Sequence, residues 1–159
     1  MTVLDAFALV GFLRGEPCAG QVEELFGGIT AISSANLAEV IDLLVRVFGF
    51  GEDELLGDLA LLQQAGLDVV DVDTAIATRA ALLRARHYGS KRCPVSLADC
   101  VALATAERLR QPLATADPDL LRVARDESVA VCPLPDSSGR MPPARSRGRR
   151  RPALAGAWA

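Results

Sequence analysis

Apolar residues along this chain fall into short β-like runs that alternate with longer stretches at helical spacing. Thr2 to Leu4 begins as a strand and runs at once into an apolar helix, Ala6 to Arg14. Pro17 opens a second helix through about Phe26, and Gly27 and Gly28 end it. Ile29 to Ser33 reads as the second strand. Asn36 to Phe48 follows as a helix, with Leu37, Val40, Ile41, Leu44 and Phe48 on one face. Gly49 and Gly51 break the chain, and Glu52 to Gln64 forms the next helix, with Gly66 at its C-terminal end. Leu67 to Val72 is the third strand, followed by a helix over Asp73 to His87 and a polar loop over Tyr88 to Pro94. The remaining pattern is helix (Ser96 to Arg110), strand (Pro112 to Thr115), helix (Pro118 to Asp126) and strand (Val129 to Cys132). Strands this short and apolar, separated by helices, predict an α/β fold with a parallel sheet of about five strands covered on both faces. The crossovers should be right-handed.

From Pro133 the pattern stops. Residues 1–135 read as one domain, and residues 136–159, rich in Pro, Gly, Ser and Arg, read as a disordered tail that holds Trp158, the only Trp. Half the chain is hydrophobic, which excludes wholesale disorder, and only 4% is aromatic, so the core must be built from Leu, Val, Ile and Ala. All 20 acidic residues lie in residues 1–136 with 11 of the 17 basic ones, while residues 137–159 carry six Arg and no acid. An acidic body with a basic tail is not a uniformly basic nucleic-acid binder.

The apolar run Ala6 to Leu13 is too short to cross a membrane and lacks a basic segment before it, so the expected location is the cytoplasm. Cys18, Cys93, Cys100 and Cys132 show no C-x-x-C spacing and His87 is the only His, which argues against structural zinc and against a His-dependent nuclease. The thiols should be reduced and mostly buried. There is no G-x-x-x-x-G-K-[ST] loop for a nucleotide phosphate.

Four acids occupy informative places. Asp5 ends the first strand, Glu39 lies in the first turn after the second, Asp99 lies in the first turn of the helix beginning SLADC, and Asp117 ends the fourth strand in LATADPDLL. Ligands of open α/β sheets collect at the carboxyl ends of strands, near the point where strand order reverses. Taken singly, each acid could be a helix cap. Asp5 can cap the helix after it, Asn36 with Glu39 and Ser96 with Asp99 fit capping boxes, and Asp117 before Pro118 is a good N-cap. Taken together, carboxylates crowded at one sheet edge repel and raise one another's pKa values. A divalent cation removes that conflict, and all-oxygen ligands favour Mg²⁺ or Mn²⁺. Such a site suits phosphoryl transfer to water.

VLDAFAL at 3–9, SSANLAEVIDLL at 33–44, CPVSLADCVALATA at 93–106 and PLATADPDLL at 112–121 resemble the acidic blocks of PIN-domain ribonucleases, and among them VapC-type toxins of bacterial toxin–antitoxin systems. The resemblance covers roughly residues 1–135 in order and spacing. It implies a three-layer α/β/α fold, metal-dependent endonuclease activity on RNA, a cognate antitoxin that blocks the site, and a homodimer. By position, Asp5, Glu39, Asp99 and Asp117 match the family's metal-binding acids, and Asp119 is a weaker, peripheral candidate. The chain departs from the pattern at Phe7, where many relatives carry a small hydroxyl residue. Thr115 reads as strand-end packing that could also supply a hydroxyl near the acids.

RNA contacts are expected from RARHYGSKRC, with Arg86, Lys91 and Arg92 as phosphate partners and Tyr88 as a stacking platform. A solvated basic loop explains the same stretch. The Arg-rich tail could add non-specific attraction for RNA. Two other readings compete. VVDVDT at 69–74 fits the nucleophile motif of haloacid-dehalogenase-type phosphatases, with Asp71 attacking phosphorus and Asp73 as acid/base. That family needs a Lys downstream, yet the only Lys is Lys91, ahead of the last acid block. The other is a PIN-like RNA- or protein-binding module with a weak site, for which Phe7 is the only foothold.

Overall fold

The computed structural model describes residues 1–142. In chain order the elements are β1 (Thr2–Leu4), α1 (Ala6–Leu13), α2 (Ala19–Phe26), β2 (Thr30–Ser33), α3 (Ser34–Asp42), α4 (Glu52–Gln64), β3 (Leu67–Val70), α5 (Thr74–His87), α6 (Leu97–Leu109), β4 (Leu113–Thr115), α7 (Pro118–Asp126) and β5 (Val131–Pro133). The five strands form one sheet in the order β3-β2-β1-β4-β5, and every neighbouring pair is parallel. The chain builds outward from β1 to β3, then returns through α5 and α6 to lay β4 on the other side of β1. Strand order therefore reverses between β1 and β4, and the crevice beyond their carboxyl ends is the natural ligand position.

Period-two alternation sorts the strand residues between two cores. Val3, Ala31 and Leu113 pack on one face with Ile76, Ala80 and Leu83 of α5, the buried side of α6, and Leu120 and Val123 of α7. Leu4, Ile32 and Ala114 pack on the other with Leu9 of α1, Val22 of α2, Val40 of α3, and Leu55 and Leu59 of α4. Both faces are thus covered, giving the three-layer α/β/α arrangement. Each fully buried Leu contributes about 1.5–3 kcal/mol of transfer free energy. Cys18, Cys93 and Cys100 are buried free thiols, and Cys132 is partly buried.

Two departures from the sequence expectation bear on the site. The cap of α3 is Ser33, whose Oγ accepts from the backbone N of Asn36 at 3.0 Å. Asn36 is therefore inside the helix and not its cap, because Ser33 offers a shorter hydroxyl cap directly at the strand end. The expected single helix to Phe48 changes at its end into a π-helical turn over Leu43–Val47, in which Phe48 N donates to Leu43 O at 3.2 Å. At the C-terminus, Asp136 accepts hydrogen bonds from Ser138 and Arg140 in a tight turn. The rest of the expected tail, with its five further Arg and Trp158, lies outside the described residues. No helix among the described residues is long and apolar enough to cross a membrane.

Candidate active site

Asp5 follows β1 directly and caps α1, its Oδ1 accepting from Ala8 N at 2.7 Å. It is 3% exposed. Burial pushes its carboxyl up to about 7, the negative charges of Asp99 and Asp117 add to the rise, and hydrogen bonds from the Thr115 hydroxyl and Ala8 oppose it. Asp117 follows β4 and caps α7, with Oδ1 accepting from the backbone N of Asp119 at 2.7 Å and of Leu120 at 3.2 Å. Its own N–H donates to Thr115 Oγ1 at 3.0 Å. The buried Thr115 hydroxyl thus lies between the acids that end β1 and β4, and its role is polar as well as steric.

Asp99 sits in a reciprocal capping box at the start of α6. Its Oδ2 accepts from Ser96 N at 2.7 Å, and Ser96 Oγ accepts from Asp99 N at 3.0 Å. Glu39 lies in the second turn of α3, where burial and then the charge of Asp99 push its carboxyl up, against a hydrogen bond from Asn36. Asn36 is 1% exposed, and its Nδ2 donates to Ala98 O at 3.1 Å. That bond ties α3 to the first turn of α6 and sets Glu39 beside Asp99.

All four acids line one cleft of about 440 Å³, together with Phe7, Arg14, Glu16 and Phe48. Three of them are caps, as the sequence allows, and the caps converge. Among the described residues no group of three or more His, Cys, Asp or Glu side chains is gathered closely enough to hold a metal ion as they stand. The donor chemistry fits a hard divalent ion, because the set is all carboxylate; burial chiefly, and the neighbouring acids after it, push the Asp5 and Glu39 carboxyls up. Each capping Asp spends one oxygen on its helix in the bonds above.

Other candidates stand apart from the cleft lining. Asp119 pairs with Arg122 at 2.8 Å. Arg86 pairs with Glu127 at 2.9 Å, beside His87 and Arg79, which hold the same carboxylate. Together these partners pull the Glu127 carboxyl down to about 2. Lys91 and Arg92 are exposed, and the Arg92 backbone O accepts from Arg122. Tyr88 is exposed, with the Arg84 guanidinium 4.3 Å over its ring. None of these lines the cleft. Asp73 caps α5 and Asp71 lies in the exposed turn before it, so the phosphatase motif has no part in the cleft. Arg14, Glu16, Phe48 and Asn36 escape sequence reasoning. Arg14 and Glu16 look like ordinary surface charge at a helix end, and Asn36 looks like a cap.

The PIN domain family matches residues 2–126. No curated protein sequence matches the chain. Among solved structures it is similar to a toxin–antitoxin complex from Klebsiella pneumoniae, at 23% identity and TM-score 0.57 over 74% of this chain and 87% of that one. It is also similar to VapC20 of Mycobacterium tuberculosis, described as a sarcin–ricin loop cleaving toxin, at 17% identity and TM-score 0.61 over 77% and 94%. A third is DNA-bound VapBC from Salmonella typhimurium, at 19% identity and TM-score 0.62 over 82% and 96%. At these identities the likeness is one of fold. With the family matched over most of its length and the acids gathered at the strand-order reversal, the chain belongs to the PIN-domain family.

Proposed function

We propose that the protein is a metal-dependent endoribonuclease of VapC type, the toxin of a toxin–antitoxin pair. The observation that carries this reading is the convergence of Asp5, Glu39, Asp99 and Asp117 from four separate sequence blocks on one cleft. These acids would hold Mg²⁺ or Mn²⁺, directly or through water. When bound, the ion would activate water for attack on an RNA phosphodiester and offset charge on the leaving oxygen. The protein's own groups align the acids. Thr115 orients Asp5 and Asp117 relative to each other, Ser96 fixes Asp99, and Asn36 fixes Glu39. Attack by water leaves a 5′-phosphate and a 3′-hydroxyl. A cognate antitoxin as inhibitor and a homodimer follow from the likeness to toxin–antitoxin complexes and from the family resemblance.

The test is cleavage of labelled cellular RNA by the antitoxin-free protein in Mg²⁺, Mn²⁺ or EDTA, beside Asp99→Asn. Discrete fragments that need metal, carry 5′-phosphates and vanish in the variant are expected. A cyclic 2′,3′-phosphate product would refute water attack. RNA binding without cleavage would favour a binding module, with Phe7→Ser the reversion to make. Asp119→Asn is expected to retain most activity, because its carboxylate is engaged by Arg122.

A further inference from the structure

The cleft presents an electrostatic problem for an RNA substrate. Among the described residues, five carboxylates line it, Asp5, Glu16, Glu39, Asp99 and Asp117, and one cation, Arg14. The basic residues that the sequence offers for phosphate, Arg86, Lys91 and Arg92, do not line it. Arg14 is itself a built feature. It caps α1, its N–H donating to Val10 O at 3.0 Å. Gly15 then takes φ +66°, a conformation that costs glycine little, and turns the chain back so that Glu16 N donates to Gly11 O at 2.8 Å. Glu16 thereby faces the Arg14 guanidinium and pairs with its Nη1. Across the cleft, the π-helical turn at Leu43–Val47 brings both Leu43 and Phe48 to the lining, and the Arg14 guanidinium stacks 3.7 Å over the Phe48 ring. An α-helix would leave positions five apart on different sides.

The geometry points to Arg14 as the residue that binds a substrate phosphate in this cleft, with Glu16 holding its guanidinium until RNA displaces it. This rests on the ribonuclease reading above. A guanidinium held over an aromatic ring still presents N–H donors at its edge; Glu16 occupies Nη1 here, and a phosphate that displaces it can take two parallel N–H donors. The Arg14 side chain is 33% exposed, so the edge is within reach of solvent and ligand. Asp5 and Arg14 cap opposite ends of α1, so their backbones lie roughly 14 Å apart along its axis at 1.5 Å per residue. The phosphate assigned to Arg14 is one flanking the bond under attack. Arg14 is a positioning residue for RNA and has no part in the bond-breaking step.

The experiment measures equilibrium binding of a labelled single-stranded RNA by the non-cleaving Asp99→Asn protein over a salt series, with cleavage kinetics in the otherwise wild-type chain. Arg14→Ala should weaken binding about tenfold and lower the slope of log affinity against log salt by about 0.7, one phosphate contact on a single strand. In cleavage it should raise KM about tenfold and leave kcat within about twofold. Arg14→Lys should restore the slope and only part of the affinity. Glu16→Gln should tighten binding several-fold, a gain that misfolding cannot imitate. Unchanged affinity and slope in Arg14→Ala, or no gain in Glu16→Gln, would overturn the inference while wild-type cleavage leaves the ribonuclease reading standing. A wild-type chain that neither binds nor cleaves RNA would remove both.

Discussion

Burial, with the charges of Asp99 and Asp117, lifts the Asp5 carboxyl to about 7, and burial with Asp99 lifts Glu39 in the same direction. An acid whose folded pKa lies above its unfolded value stabilises the fold below the unfolded pKa, and that contribution is lost as pH rises through the folded one. For Asp5 the window runs from 3.8 to about 7. The metal-free protein should therefore lose stability on going from pH 5 to pH 8, by a few kcal/mol at most. Asp5→Asn should keep the α1 cap, since Asn caps as well as Asp, and should flatten that loss. Thermal melts of both proteins across this range check it. Glu127 has the opposite sign. His87, Arg79 and Arg86 hold its carboxyl down at about 2. Its contribution is present above 4.5 and lost as pH falls toward 2. Glu127→Gln should cost roughly 1–3 kcal/mol at neutral pH and little at pH 2, so urea midpoints at the two pH values should converge. Without metal the stability maximum set by these two groups should fall near pH 4, where the two windows overlap.

At the scale of elements, two contacts between helices govern the cleft. A Cβ on Gly11 of α1 would lie 2.4 Å from the Cys18 Sγ ahead of α2. Gly11→Ala should destabilise by about 1–3 kcal/mol through overpacking, and Cys18→Ala in the same chain should recover most of that, as a double-mutant cycle would read. The second contact is the bond from Asn36 to Ala98 O, which joins α3 to α6. Asn36→Ala should cost about 1–3 kcal/mol from the unpaired carbonyl and the lost bond. Because Glu39 and Asp99 come from the two joined helices, it should also lower the cleavage rate about tenfold, roughly 1.4 kcal/mol of alignment. A variant that lost the stability and kept the rate would separate Asn36 from the site. The elements themselves were largely legible in advance. Every strand and helix predicted from periodicity is present with ends shifted by a residue or a few, because apolar spacing and Gly or Pro punctuation act locally. The π-helical turn was not legible. LLVRVF has ordinary helical spacing, and nothing in that spacing marks the i to i+5 bond from Phe48 N to Leu43 O.

Seen as a whole, the molecule spends carboxylate repulsion at one sheet edge, and a cation should relieve it. Binding of Mg²⁺ or Mn²⁺ to the folded chain alone should raise the Tm by roughly 5–10 °C at a hundredfold excess over Kd. The rise should be absent in Asp99→Asn and should reverse on adding EDTA. Differential scanning calorimetry reads this without any RNA, and an equal rise in the variant would place the ion elsewhere.

The amino-acid order by itself determined the α/β class, the parallel strands, the two covered faces and the caps at Asp5, Asp99 and Asp117. All of these follow from local spacing and from residue chemistry that acts within a few positions. Only the tertiary structure decided which charges share a cleft. It set Arg14 and Glu16 beside the acids and left Arg86, Lys91 and Arg92 outside the lining. It also made Asn36 a strut between helices and Thr115 a link between carboxylates. Those outcomes depend on distances between residues far apart in sequence, set by strand order and helix packing, and no local pattern encodes them.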